Sequence, residues 1–252
     1  MFILKITIFA RYYCIIILLK YNIMSNKLHL ITSFFISKLS DSNIELRNAE
    51  LVEALKRNID SPYIESVHLF VDDINSYNKL SSIFQEYIDN GKIIIVSAGN
   101  GMAIYYDFFN YAINKLAGKI CMVSNSDIYI DTCDMNLLSI LKENSVYALT
   151  RHEYDLSCPL INDYHGSHDS FIFRAPLNIS IDNFKFPQNV WGSEAKLLDL
   201  LYNQGITIQN PCRQIKIVHL HQSNIREHDR PWVAYHTPDN PAVNHPPTDI
   251  II

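Results

Sequence analysis

The tripeptide Asn125-Ser126-Asp127 comes one residue after the apolar run Lys119 to Val123. It places an amide carbonyl and a carboxylate one residue apart at the mouth of what reads as a strand buried on both faces. Hard oxygen ligands of this kind suit a divalent ion, Mg²⁺ or Mn²⁺, that carries phosphate oxygens. The carboxyl edge of an α/β sheet is also where ligands bind. The same three residue types serve as turn and helix-capping residues, so the tripeptide alone leaves both readings open. Three later features bear on the choice: a second carboxylate in Ser167-His168-Asp169, an acidic helix start at Glu194, and the run Ile215 to His221, IKIVHLH. In a strand, His219 and His221 fall on one face by the period of two.

The elements that must position these residues alternate from Lys27 onward. Leu28 to Ile36 reads as a first strand, and Asn43 to Asn58 as a helix capped by Asp41 or Ser42. Val67 to Val71 is a second strand leading into Asp72-Asp73, followed by a helix over Tyr77 to Ile88. Ile93 to Val96 is a third strand, Met102 to Leu116 a third helix stopped by Gly118, and the fourth strand runs into Asn125. Strand and helix in this rhythm predict a parallel sheet with its strand-end loops on one side. Those loops carry Thr32-Ser33, Asp72-Asp73, Ser97 to Gly101, and Asn125 to Asp127.

The second half reads differently. A helix near Met135 to Glu143 precedes a strand over Val146 to Thr150, and then a polar loop runs from Asp155 to His168. Long loops inside compact domains tend to be functional. Ser170 to Phe173 is a strand, Trp191 to Glu194 opens a helix reaching Asn203, and Ile215 to His221 is the last strand.

The chain has 252 residues, 48% hydrophobic, with 12 Phe and 15 Tyr, enough for one sizeable core. A net charge of −5 without a clustered basic stripe argues against nucleic acid as a partner. The five cysteines are odd in number and widely spaced, so reduced thiols are expected rather than a disulfide framework or a zinc site. No glycine-rich dinucleotide or P-loop motif occurs.

Residues 1–26 read as an apolar extension or weak anchor. Lys5, Arg11 and Lys20 break the run short of the ~20 residues a bilayer span requires. Met24 just ahead of the first strand looks like a natural start, and the extension is left out of fold reasoning. The domain is expected over residues 27–228, with a flexible Pro-rich tail over 229–252. The expected location is cytoplasmic, with membrane association through residues 1–23 as the alternative.

In the order and spacing of Tyr105-Tyr106-Asp107, Asn125-Ser126-Asp127, Ser167-His168-Asp169 and His219-x-His221, the chain resembles the nucleotide-diphospho-sugar transferases of GT-A fold. More narrowly it resembles small single-domain glycosyltransferase-like proteins of large viruses and bacteria. The resemblance covers roughly Leu28 to Arg226. It implies a GT-A-like (Rossmann-like) α/β fold, a mostly parallel central sheet flanked by helices. It also implies transfer of a sugar, of the hexosyl type, from a nucleoside-diphosphate-sugar donor to a glycan or protein hydroxyl.

In that family pattern a Mn²⁺ or Mg²⁺ ion, held by D-x-D carboxylates and often a late histidine, stabilises the charge that develops on the departing diphosphate. Asp127 matches the second carboxylate, Asn125 stands in place of the first, and His219 or His221 would supply the imidazole. An inverting transferase also needs a carboxylate base for the acceptor hydroxyl; Asp169 is the first choice and Glu194 the second. Thr32 and Asp72 would lie near the base or ribose, and Tyr105 and Asp107 on the donor-site helix. Met102 stands where related sequences carry a basic residue, and Arg226 would restore that charge by pairing with phosphate.

Each assignment has a plainer counterpart: a turn Asp at 169, partly buried strand histidines at 219 and 221, a core aromatic at 105, a first-turn carboxylate at 107, a solvated arginine at 226. Two other functions remain in view, a metal-dependent phosphohydrolase or nucleotidyltransferase, and a non-catalytic nucleotide-sugar-binding module of the same fold.

Overall fold

The computed structural model describes residues 26–162, 167–188, 190, 192–225 and 242–251. Ten strands and five helices occur among them: β1 (Leu28–Phe34), α1 (Ile44–Asp60), β2 (Ile64–Val71), α2 (Ile74–Asp89), β3 (Ile93–Ala98), α3 (Tyr105–Lys115), β4 (Ile120–Ser124), β5 (Ile128–Cys133), α4 (Met135–Ile140), β6 (Ser145–Thr150), β7 (His152–Glu153), β8 (His168–Arg174), α5 (Ser193–Tyr202), β9 (Thr207–Gln209) and β10 (Ile215–His219).

Seven strands form the central sheet in the order β3-β2-β1-β4-β8-β6-β9. β1 pairs in parallel with β2 and β4, β2 with β3, and β6 with β9. Only β8 runs against its neighbours β4 and β6. The near-continuous apolar strands are explained by burial on both faces. Leu28, Leu30, Ile120, Met122 and Ile172 point into one hydrophobic cluster with Leu55 and Ile59 of α1 and Leu80 and Phe84 of α2. Their neighbours Ile31, Cys121, Val123, Phe171 and Phe173 point into a second cluster with Phe108 and Phe109 of α3 and Leu197, Leu198 and Leu201 of α5. The expected mostly parallel α/β architecture is therefore what the chain adopts.

A second sheet, β5-β10-β7, adds Ile128, Ile130, Ile215 and Ile217 to the first cluster. The sequence reading contains neither β5 nor β9. β5, IYIDTC, follows directly on a turn and is apolar only over its first three residues, and β9 has only three; neither offers an apolar run of about four residues. Helix α2 starts a turn earlier than its apolar spacing suggests, because Asp73 caps it by accepting from the Ser76 N–H at 2.8 Å. Asn43, not Asp41 or Ser42, occupies the N-cap of α1.

The expected flexible tail needs correction over residues 242–251. Ala242 and Val243 are buried, the Thr248 N–H donates to the Asn210 carbonyl, and the Gln214 amide both donates to and accepts from the Ile250 backbone at 3.0 and 2.7 Å. Proline-rich composition removes regular ladders but not side-chain anchoring. The rest of that tail, apart from those ten residues, and nearly all of the 1–26 extension lie outside the described residues. Among the described residues no helix is long and apolar enough to cross a membrane, and Cys121, Cys133, Cys158 and Cys212 are free thiols.

Candidate active site

Sheet register brings the distant residues together. Asp127 sits in the turn between β4 and β5, and antiparallel pairing sets His219 of β10 against Ile128, the next residue. The Leu220 N–H donates to the Asp127 carbonyl at 2.8 Å, locking that register. The Asp127 carboxylate, 6% exposed, consequently has His219 Nε2 at 3.3 Å and His221 Nδ1 at 3.5 Å from its Oδ2. A third nitrogen reaches the same oxygen: Arg47 Nη2, from the first turn of α1, donates to it at 2.8 Å.

Helix α1 fixes this corner through polar residues on its buried stripe. Asn58 donates to the Ile128 carbonyl and accepts from the Ile130 N–H, holding β5. Glu50 accepts from both the backbone N–H and the hydroxyl of Ser223 at 2.7 Å, holding the chain just past His221.

The electrostatics follow from this crowding of nitrogens. Burial alone would raise the Asp127 carboxyl, but the charges of His219 and Arg47 outweigh it and hold the group well below the usual carboxylate range. Burial likewise opposes a charged His219. Asp127 on one ring nitrogen and Glu153, 3.5 Å from the other, prevail and push the imidazole up to about 9. Glu153 is brought there by the parallel pairing of β10 with β7, which sets His219 beside it. The His219 imidazole at 3.5 Å, with the Arg151 guanidinium at 2.8 Å, lowers Glu153 to about 2.

The other end of the tripeptide gathers acids. Antiparallel pairing of β4 with β8 sets Ser124 against Ser170, so the next pair outward is Asn125 and Asp169, and the Asn125 N–H donates to the Asp169 carbonyl. The Asn125 side-chain nitrogen donates to Asp169 Oδ1 at 2.9 Å and lies 3.4 Å from Glu194 Oε1. Glu194 arrives in the first turn of α5, whose N-cap Gly192 has φ 83°, a conformation that disfavours any side chain. Burial and the neighbouring Asp169 charge push Glu194 up to about 7. Asp169 in turn accepts from Arg151 Nη1 at 3.1 Å. One network thus runs from Arg47 through Asp127, His219, Glu153, Arg151 and Asp169 to Asn125 and Glu194.

The remaining expected residues are placed less directly. The Thr32 hydroxyl is buried and donates to the Ser124 carbonyl at 2.8 Å, tying β1 to β4. Next to it, the hydroxyls of Ser33 and Ser126 lie 2.8 Å apart at the rim. Asp72 follows β2, one strand further out, its backbone joined to Phe34 and Gly101. Tyr105 is 0% exposed, packed edge-on to Phe171. Burial and the charges of Glu194 and Asp169 raise its phenol well above the ordinary range. Asp107 caps α3, accepting from the Ile104 N–H at 2.9 Å, so its carboxylate is committed to the helix terminus. Arg226 lies outside the described residues. Arg47, Arg151 and Glu153 are the members that sequence reasoning missed.

The donor set suits a divalent ion. Asp127, His219 and His221 each offer one ligand atom, all within 4.8 Å of one another, and carboxylate with imidazole is chemistry that Mn²⁺ accepts. The buried Asn125 Oδ1 and His221 Nε2 have no hydrogen-bond partner.

No family model matches the sequence, and no curated protein does. The chain is similar to the solved mannosyltransferase PcManGT from Pyrobaculum calidifontis, a structure in complex with GDP-Man and Mn²⁺. That likeness has 12% identity and a TM-score of 0.49, over 77% of this chain and 56% of that one. It is also similar to the apo-form glycosyltransferase GlyE of Streptococcus pneumoniae TIGR4, at 10% identity and a TM-score of 0.41, over 84% of this chain and 57% of the other. The chain thus spans less than two thirds of the length of either. With its parallel strands β3-β2-β1-β4, the reversed strand β8 and helices on both faces, its fold is GT-A-like.

Proposed function

We propose that this protein is a glycosyltransferase that moves a sugar from a nucleoside-diphosphate-sugar donor to a hydroxyl of a glycan or protein. The observation that carries the reading is the meeting, at the carboxyl edge of β4, of a nitrogen-rich cluster around Asp127 and a carboxylate pair around Asn125. Group transfer with a phosphate leaving group needs both signs of charge within reach of one sugar. The side that receives the departing diphosphate must be positive, and the side that receives the acceptor proton must be basic.

Asp127, His219 and His221 would hold a divalent ion, which when bound neutralises charge on the departing diphosphate. The protein's own residues do the rest. Arg47 adds fixed positive charge to the same corner. Glu194, pushed up to about 7, is poised to take a proton from an acceptor hydroxyl near neutral pH. Asp169 has its oxygens engaged by Arg151 and Asn125, which suits a residue that holds the base and the sugar in place.

The test is incubation of the full chain with UDP-, GDP- and TDP-sugars, with and without Mn²⁺. Free nucleoside diphosphate is measured against phosphate released from nucleoside triphosphates, with melting temperature read in parallel. Diphosphate release from at least one sugar nucleotide is expected. Phosphate release alone would instead indicate a phosphohydrolase or nucleotidyltransferase, and a melting shift without turnover a binding module; no response to any donor overturns the reading.

A further inference from the structure

We propose that Arg47 is a phosphate-binding residue of this site, contacting an oxygen of the donor diphosphate through Nη1 while Nη2 remains on Asp127. The proposal rests on the nucleotide-sugar reading above and adds a residue that belongs to none of the motifs. The Arg47 side chain is 11% exposed, and its Nη2 is engaged by Asp127 at 2.8 Å. Its Nη1 is buried without a hydrogen-bond partner. The nearest acid, Glu50 Oε2, stands 3.5 Å away, and both Glu50 oxygens already accept from Ser223.

A buried charged donor held only by a 3.5 Å ion pair with Glu50, and making no hydrogen bond, costs free energy that a correctly placed acceptor returns. The guanidinium fork is the side chain best matched to a phosphate, because two arms on one plane can serve two oxygens. Here one arm is fixed by Asp127, so the other is oriented in advance. The acceptor it lacks must be anionic or strongly polar and must approach the Asp127 corner, which describes a diphosphate oxygen. Arg47 also stands 2.8 Å from the oxygen that faces both histidines, so its charge opposes a cation there in the absence of an anion.

The experiment uses two probes in separate calorimetric titrations of the full chain, inorganic pyrophosphate alone and Mn²⁺ alone. The chains compared are wild type, Arg47→Met and Arg47→Lys. Arg47→Met is expected to weaken pyrophosphate by at least about tenfold, the loss of one charge-assisted hydrogen bond, while Mn²⁺ binds as tightly as in wild type or more tightly. Arg47→Lys, which keeps the charge against Asp127 and guards against loss of fold in the Met variant, is expected to bind pyrophosphate about threefold or more weakly. Pyrophosphate affinity unchanged in both variants overturns the proposal alone. So does parallel loss of Mn²⁺ and pyrophosphate in Arg47→Met, since the guanidinium would then only be building the Asp127 cluster. If wild type itself takes up no pyrophosphate, the donor-site reading falls together with the proposal.

Discussion

At Asp127 one carboxylate is enclosed by nitrogens of Arg47, His219 and His221; two residues earlier, at Asn125, one amide nitrogen is enclosed by the carboxylates of Asp169 and Glu194. The two ends of a single turn are mirror images in charge. The asparagine at 125 has a role beside any metal, since its side-chain nitrogen bridges two acids. A carboxylate in its place would face Asp169 at hydrogen-bonding distance, so the amide is what allows two acids to stay close. Ser126, between them, is held by Ser33 from β1, which keeps the two ends pointing apart.

The comparison can be broken most severely at its acidic member. Asp127→Ala takes from Arg47 and His219 the carboxylate nearest to both, leaving only Glu50 and Glu153 at 3.5 Å, and should cost about 3 kcal/mol in urea unfolding. It should also remove any Mn²⁺-dependent rise in melting temperature; an unchanged rise would take Asp127 out of the metal site. Reversing the other end, Asn125→Asp places a third carboxylate beside two others. A loss on the order of 3 kcal/mol at pH 8 is expected, shrinking as the pH falls and the cluster takes up a proton.

Glu194→Gln sharpens the contrast instead. The folded pKa of Glu194 lies above its ordinary value of 4.5, at about 7. Its favourable contribution is therefore complete below about pH 4.5 and is lost as the pH rises through 7. The Gln variant should be roughly 3 kcal/mol more stable than wild type at pH 8 and indistinguishable near pH 4. Diphosphate release, if Glu194 is the base, should rise through pH 7 in wild type and collapse in the variant. The smallest effect is expected from Glu153→Gln, a half-exposed partner. His219 should titrate below its value of about 9 in proton NMR, yet still above 6.5 because Asp127 remains.

Much of this was legible in the sequence. Continuous apolar runs marked the strands that are covered on both faces, and Asn125, Asp127, Asp169, Glu194 and the two histidines were each identified from type and position. What sequence could not supply was register. Glu153 reaches His219 only because a two-residue strand lies beside β10. Arg47 meets Asp127 across 80 positions from within a helix rich in charges of both signs. A signal for Arg47 did exist: it recurs with Glu50, Leu51, Leu55 and Asn58 at helical spacing, so three polar residues share the stripe that faces the core. Polar residues on such a stripe are buried for a reason, and here each fastens a different part of the site. Tyr105 and Asp107 show how one short motif serves two readings, for the family-like pair is also a core ring and a helix cap.

The brevity of β9 has a consequence for the whole molecule. β9 is the outermost strand on its side of the sheet, and an outermost strand with bare amides and carbonyls invites another chain to pair with it. Residues 242–251 are fastened just past the end of that strand, the Thr248 N–H on the Asn210 carbonyl and the Ile250 backbone on the Gln214 side chain. Thr207 and Gln209 themselves stay exposed, so what blunts this border is brevity: a strand of three residues offers too few free groups for another chain to extend the sheet.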